Sequence, residues 1–197
     1  MTTDLLNRFS DPDDYDLEAL ANTAVSERVD RHEHGLVELD GETVVTGDLV
    51  IEGDLELNGH LLVLGSLRCS GFVFTGIHCC LVVKGDVTAR AVEALRSYWL
   101  VGGSITSETA WLSTYGFLML GGELRTQLLV VQQYFELRDD PAIVARMRID
   151  TDYLSKDLAA KARLDEVLLT SEMLDDDGDF DSWALLRKMS RGDRVFR

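Results

Sequence analysis

Glycine recurs every six residues along one stretch of this chain, at Gly47, Gly53, Gly59, Gly65 and Gly71. The blocks read GDLVIE, GDLELN, GHLLVL, GSLRCS and GFVFTG. Their third positions are Leu49, Leu55, Leu61, Leu67 and Val73, and their fifth positions are Ile51, Leu57, Val63, Cys69 and Thr75. Residues two apart share one face of a strand, so these side chains point to one side while Asp48, Val50 and Glu52 point to the other. Each hexad is therefore a short strand plus a bend, with glycine where the backbone takes unusual dihedrals or packs closely.

Three hexads make a coil of about 18 residues, and the longer spacing returns later in Gly85, Gly103 and Gly121. After a two-residue slip following Gly76, LVVKGDV, WLVGGSI and LMLGGEL repeat one pattern of apolar strand, glycine, polar residue and apolar residue. The pattern predicts a mainly β chain, a single-stranded β-helix (β-solenoid) whose coils stack and pair through their backbones. Residues 36–138 hold the solenoid, as five or six coils and a rod of roughly 25–30 Å. A sandwich of hairpins would need turn dipeptides at regular spacing, and only Asn58-Gly59 qualifies.

Charge separates the chain into unequal parts. The net charge is −16, and residues 1–60 alone hold 16 acids against three arginines, a net of −13. Residues 61–138 sum to +1 and residues 139–197 to −4. An acidic end repels nucleic acid and membrane surfaces and steers a basic protein partner toward it. No apolar run is long enough to span a bilayer, and MTTDLLNRFSDPDDYD lacks the charge and apolar core of a signal peptide. Three cysteines make no disulfide framework, which fits a cytoplasmic protein.

Open solenoid ends template edge-to-edge pairing, so both are expected to be capped. Residues 1–35 form the expected N-terminal helical cap, with DYDLEALANTAVSERVDR from Asp14 to Arg31 as its helical stretch. Residues 139–197 form the expected C-terminal helical region. There Asp139-Asp140-Pro141 opens a helix over AIVARMRI, Tyr153–Thr170 continues it, and a last amphipathic helix runs from Asp181 to near Gly192. Capped ends imply a monomer or small homo-oligomer.

No residue set commits the chain to catalysis, a metal or a cofactor, and none of the three is expected. DDDGDFD at Asp175–Asp181 would, as a calcium loop with Gly178 sixth, place Met173 first and Ala184 where the bidentate glutamate belongs. His32-Glu33-His34 and His78-Cys79-Cys80 carry metal-competent atoms, but neighbours on a strand point oppositely. Hexapeptide acyltransferases place an aliphatic residue before the small one, whereas here Thr46, Glu52, Asn58 and Leu64 precede glycine. His60 and His78 have no identifiable partner for general-base work. Aromatic residues gather in the later coils as Tyr98, Trp99, Trp111, Tyr115, Phe117, Tyr134 and Phe135. Partner contacts are expected from Asp48, Glu52, Asp54 and Glu56 on the first coils and from Tyr98, Trp99, Trp111 and Tyr115 on the later ones.

With its GDL coils, LVVKGDVTAR, YWLVGGSI and the terminal FDSWALLRKMSRGDRVF, the chain resembles bacterial bactofilin-like, polymer-forming solenoid proteins. Several proteins of that kind resemble immunity partners of polymorphic toxins. The resemblance implies a β-solenoid and, as function, a protein that neutralises a cognate toxin domain by direct binding. Bactofilin-like polymer formation is the first alternative. An acidic DNA-mimic inhibitor is the second, although the five-residue period of the pentapeptide-repeat mimics is missing.

Overall fold

A computed structural model of the chain describes residues 9–151, except 10, 25, 114 and 133, together with residues 184 and 188. Parallel strands stack into a β-solenoid of about seven turns. β1 (Arg31–Val45) and β2 (Leu49–Val63) each wrap nearly a whole coil in register, residue against residue. Shorter strands follow, one to a wall: β3 (Leu67–Cys69), β4 (Phe72–Thr75), β5 (Cys80–Val83), β6 (Val87–Thr88), β7 (Ala91–Leu95) and β8 (Tyr98–Val101). Then come β9 (Ile105–Thr106), β10 (Thr109–Ser113), β11 (Phe117–Leu120), β12 (Glu123–Gln132), β13 (Glu136–Arg138) and β14 (Ala142–Thr151).

Three walls enclose the core. Leu49, Leu67, Val87, Ile105, Leu124 and Ile143 stack in the first, so a coil takes 18 to 20 residues. Leu55, Val73, Val92, Ala110 and Leu129 stack in the second, and Leu61, Leu81, Trp99, Leu118 and Leu137 in the third. The third and fifth hexad positions are the inward side chains, and every one from Leu49 to Thr75 is buried. Each buried Leu contributes about 2 kcal/mol relative to exposure. The inward polar groups are satisfied: the Trp99 indole donates to Thr75 Oγ1 at 2.9 Å, and the Thr75 and Ser97 hydroxyls lie 2.7 Å apart.

The glycine that opens each coil has a specific task at the corner between the third and first walls. Asp30, Asp48, Ser66, Asp86 and Ser104 form a column, and each side-chain oxygen accepts from the backbone N–H one coil on. The recipients are Asp48 (2.7 Å), Ser66 (2.8 Å), Asp86 (3.2 Å), Ser104 (2.8 Å) and Glu123 (3.1 Å). The column runs beside the glycines, and a Cβ on Gly103 would collide with Asp86 Oδ1 and meet Gly85 O at 2.8 Å. The recurring Gly-Asp and Gly-Ser dipeptides are thus one device, a side-chain ladder along the axis.

Several expectations about the ends need correction. Solenoid strands run from Arg31 to Thr151, past both expected boundaries. AIVARMRI is strand and not helix, because β14 pairs in parallel along β12 and its alternate residues Ile143 and Ala145 pack on the core. Asp139 and Asp140 take left-handed φ of 62° and 46°, a turn and not a helix cap. The stretch from Asp14 to Arg31 holds only the five-residue helix α1 (Leu17–Ala21), preceded by a 3-10 turn at Pro12–Asp14. Asp16 caps α1 by accepting from Glu18 N–H at 2.8 Å. Ala184 and Lys188 are helical; the rest of the expected C-terminal helices and the Asp175–Asp181 loop lie outside the described residues.

Position also differs from expectation at the N-terminus. Phe9, Tyr15 and Leu20 pack on the outer side of the third wall against Leu62, Val82, Leu100 and Met119, not over a solenoid end. That row is apolar and outward-facing, so an amphipathic segment gains most burial there. Lys84 Nζ donates to Thr23 O at 2.6 Å, and the Arg138 guanidinium lies 3.6 Å from the Phe117 ring centroid while donating to Pro12 O at 3.3 Å. Among the described residues, no helix is long and apolar enough to cross a membrane.

Candidate protein-binding surfaces

The outer sides of the three walls differ in accessibility. The third is covered by the N-terminal segment. On the second, Phe74, Glu93, Trp111, Val130 and Ile149 occupy outward positions and are all buried. The first wall is open and polar, with Arg68, Thr88, Thr106 and Arg125 exposed in one row. The corner between the second and third walls is exposed as well.

That corner carries one residue per coil in left-handed conformation. His78 (φ 61°), Arg96 (47°), Tyr115 (54°) and Tyr134 (61°) succeed one another up the stack. Backbone bonds tie this corner from coil to coil: His78 N–H donates to Arg96 O at 2.9 Å, and Arg96 N–H to Ser113 O, two residues before Tyr115, at 3.1 Å. A side chain at positive φ costs roughly 1 kcal/mol relative to glycine, and four in register is a concentration of strain. All four are exposed, Tyr115 and Tyr134 by 58% and 59%, and Ile77 beside them by 51%. The two tyrosine rings stack with centroids 4.9 Å apart and planes 21° apart, close to the coil spacing of about 4.8 Å. Arg96 caps the stack, its Cζ 5.8 Å from the Tyr115 centroid. The result is a ridge of a cation and two aromatic rings, the side chains that dominate binding hot spots.

The residues chosen from sequence fall in several places. Tyr115 is on the ridge. Trp99 is fully buried in the lumen and Trp111 is 5% exposed on the covered second wall, because strand alternation turns the first inward and the second onto a buried face. Tyr98 is half-buried beneath the N-terminal segment, 5.4 Å from the Phe117 ring. Asp48 accepts from Ser66 N–H and from Arg28 Nη2 at 2.7 Å, so its carboxylate serves the ladder. Asp54 likewise accepts from Phe72 N–H at 3.0 Å. Glu52 is exposed beside His34, with 3.0 Å between them, and Glu56 is half-buried on the second wall. The four acids and Tyr115 do not form one patch, since about three coils (roughly 14 Å along the axis) separate them.

Arg96 goes unnoticed in the sequence, and His78 figures there only as a metal ligand or general base, because both stand in bends, where hexad counting gives no phase. Their spacing of 18, then 19 and 19 residues to Tyr115 and Tyr134, was the available signal. Among the metal-competent groups, Cys79 packs in the lumen and Cys80 on the opposite side of the wall, as neighbours on a strand must. Burial pushes the Cys69 and Cys79 thiols up to about 11, and raises Cys80 as well. His32 and His34 face outward, while Glu33 pairs with Arg31 at 2.7 Å. Among the described residues, no group of three or more His, Cys, Asp or Glu is placed to hold a metal ion. In comparison with known proteins, the chain matches no family model, and no curated protein or solved structure resembles it significantly.

Proposed function

We propose that this chain is a non-catalytic protein-recognition scaffold and, in the specific form, a cytoplasmic immunity protein that neutralises a cognate bacterial toxin domain by direct binding. The observation that carries the reading is the stacked Tyr115–Tyr134 pair, exposed and held at left-handed φ on this corner. Ring stacking offsets part of the cost of the left-handed backbone, and the arrangement fixes an aromatic contact surface before binding. The strongly acidic first 60 residues favour a basic partner through steering.

The test is co-expression with the product of the adjacent gene. Wild-type chain is expected to co-purify with it and to relieve its toxicity. Tyr115→Ala combined with Tyr134→Ala is expected to weaken binding by about 2–3 kcal/mol, some hundredfold. A neighbour that is neither toxic nor bound, or unaltered binding by the double variant, removes the respective part of the proposal.

One observation favours the polymer-forming alternative: among the described residues, β1 pairs only with β2 and leaves a 15-residue edge. Its inward residues Arg31 and Glu33 are charged and paired, which opposes dry stacking of another coil there. Light scattering separates the readings, since a filament grows with concentration and a monomer does not.

A further inference from the structure

Along the solenoid, inward-facing residues hydrogen-bond to the following coil. Arg31 N–H donates to Asp48 O at 2.8 Å, Leu49 N–H to Ser66 O at 2.9 Å and Leu67 N–H to Asp86 O at 2.9 Å. Outward-facing residues bond back to the preceding coil, as Leu64 N–H does to Val45 O at 2.9 Å and Lys84 N–H to Val63 O at 2.8 Å. β1 is the first coil. The same rule therefore turns the backbone groups of Leu36, Glu38, Asp40 and Glu42 toward an edge that no other described strand occupies.

Two further features mark this edge. In the second coil, Gly53 and Gly59 lie so close to the backbones of Gly35 and Gly41 that neither has room for a Cβ. At Gly35 and Gly41 themselves, nothing lies within 4 Å of an added Cβ, so the approach used by each later coil is open. The side chains along the edge are also of one sign. Glu38, Asp40 and Glu42 alternate with Val37 and Leu39, no Lys or Arg occurs from 36 to 45, and Leu36 is 56% exposed.

We propose that the β1 edge accepts an extended basic segment of a partner protein as an added strand, with alternating apolar and Lys/Arg side chains. The apolar set lies over Val37 and Leu39 at the end of the core, and the cations stand beside Glu38 and Glu42. This rests on the protein-recognition reading but assigns a separate surface and a partner chemistry. A second copy presenting the same edge would set acid against acid, so charge complementarity selects a basic strand.

Two blocked heptapeptides test it, one alternating lysine with valine and one alternating glutamate with valine, each titrated against the full chain. The lysine peptide is expected to bind and to slow amide exchange over 36–44 by about tenfold, and the glutamate peptide to do neither. Glu38→Lys with Glu42→Lys is expected to weaken the lysine peptide by about tenfold and to admit the glutamate peptide. Circular dichroism confirms that the variant folds. The proposal is overturned if neither peptide protects 36–44, if protection falls on the Arg96–Tyr134 ridge instead, or if charge reversal leaves the affinities unchanged. Protection of the same amides on concentrating the chain alone assigns the edge to a second copy and also overturns it. Peptide failure alongside tyrosine-dependent binding of the cognate partner removes the edge proposal and leaves the scaffold reading standing.

Discussion

Replacing Asp86 tests whether the axial ladder, and not strand pairing alone, holds successive coils in register. The Asp86 carboxylate accepts from Ser104 N–H at 2.8 Å, and its own N–H donates to Ser66 Oγ at 3.2 Å. Asp86→Ala removes only the first of these. Ser104 is half-buried between stacked coils, so its N–H regains water incompletely. The arrangement matches a helix N-cap, one side-chain oxygen satisfying one otherwise orphaned donor, and a loss of about 1–2 kcal/mol follows. For a chain of this length that lowers Tm by roughly 2–8 °C. Asp86→Asn keeps the Oδ1 acceptor and is expected to lose less than about 0.5 kcal/mol. Gly103→Ala should be worse than either, because the new Cβ meets both the ladder and the Gly85 carbonyl. Adding Asp86→Ala to it should recover only part of the loss, the backbone carbonyl being unable to leave. Urea unfolding followed by circular dichroism gives the midpoints. An Asp86→Ala chain within about 0.3 kcal/mol of wild type, or Asn as damaging as Ala, would refute the ladder's role.

Other consequences are simpler to read out. The three thiols lie buried, two with values pushed to about 11, so native chain at pH 8 should react slowly with a thiol reagent at Cys69, Cys79 and Cys80, and quickly at all three once unfolded. Leu20→Ala is expected to cost about 2–4 kcal/mol and to expose the third wall, seen as new binding of a hydrophobic dye. The Asp48 backbone N–H, with Arg28 adding to it, holds the Asp30 carboxyl below its ordinary value. A depressed folded value stabilises above the unfolded pKa, so this contribution is lost as pH falls below about 4, and Asp30→Asn should flatten that part of the acid-unfolding curve.

The solenoid was legible because its constraint is repeated. An inward apolar residue at every second position, with glycine at each corner, cannot be met by a helix, and it recurs from Leu49 to Thr75 without a break. AIVARMRI was illegible for the opposite reason. Its inward residues Ile143 and Ala145 are followed by Arg148 and Asp150 at lumen-facing positions, where they pair at 2.8 Å in the last described strand. Charged side chains at lumen-facing positions remove the apolar alternation that identifies a strand. Arg31 and Glu33 break the pattern at the first coil in the same way. Strand alternation alone does not say which of the chosen side chains are accessible. A solenoid residue's accessibility also depends on what covers its wall, and that is a tertiary fact. Trp111 points outward yet is buried, while Tyr115, four residues on, stands free because it occupies a bend. With the outward rows of the second and third walls buried, the surfaces left for the proposed partner among the described residues include the polar first wall, the aromatic corner and the acidic first edge. The corner has hot-spot chemistry, and the edge has uniform charge and backbone groups that no other described strand pairs. Steering by the acidic end followed by seating on the tyrosines would separate the two in kinetics. Charge reversal at Glu38 and Glu42 should then slow association, and loss of the ring pair should speed dissociation.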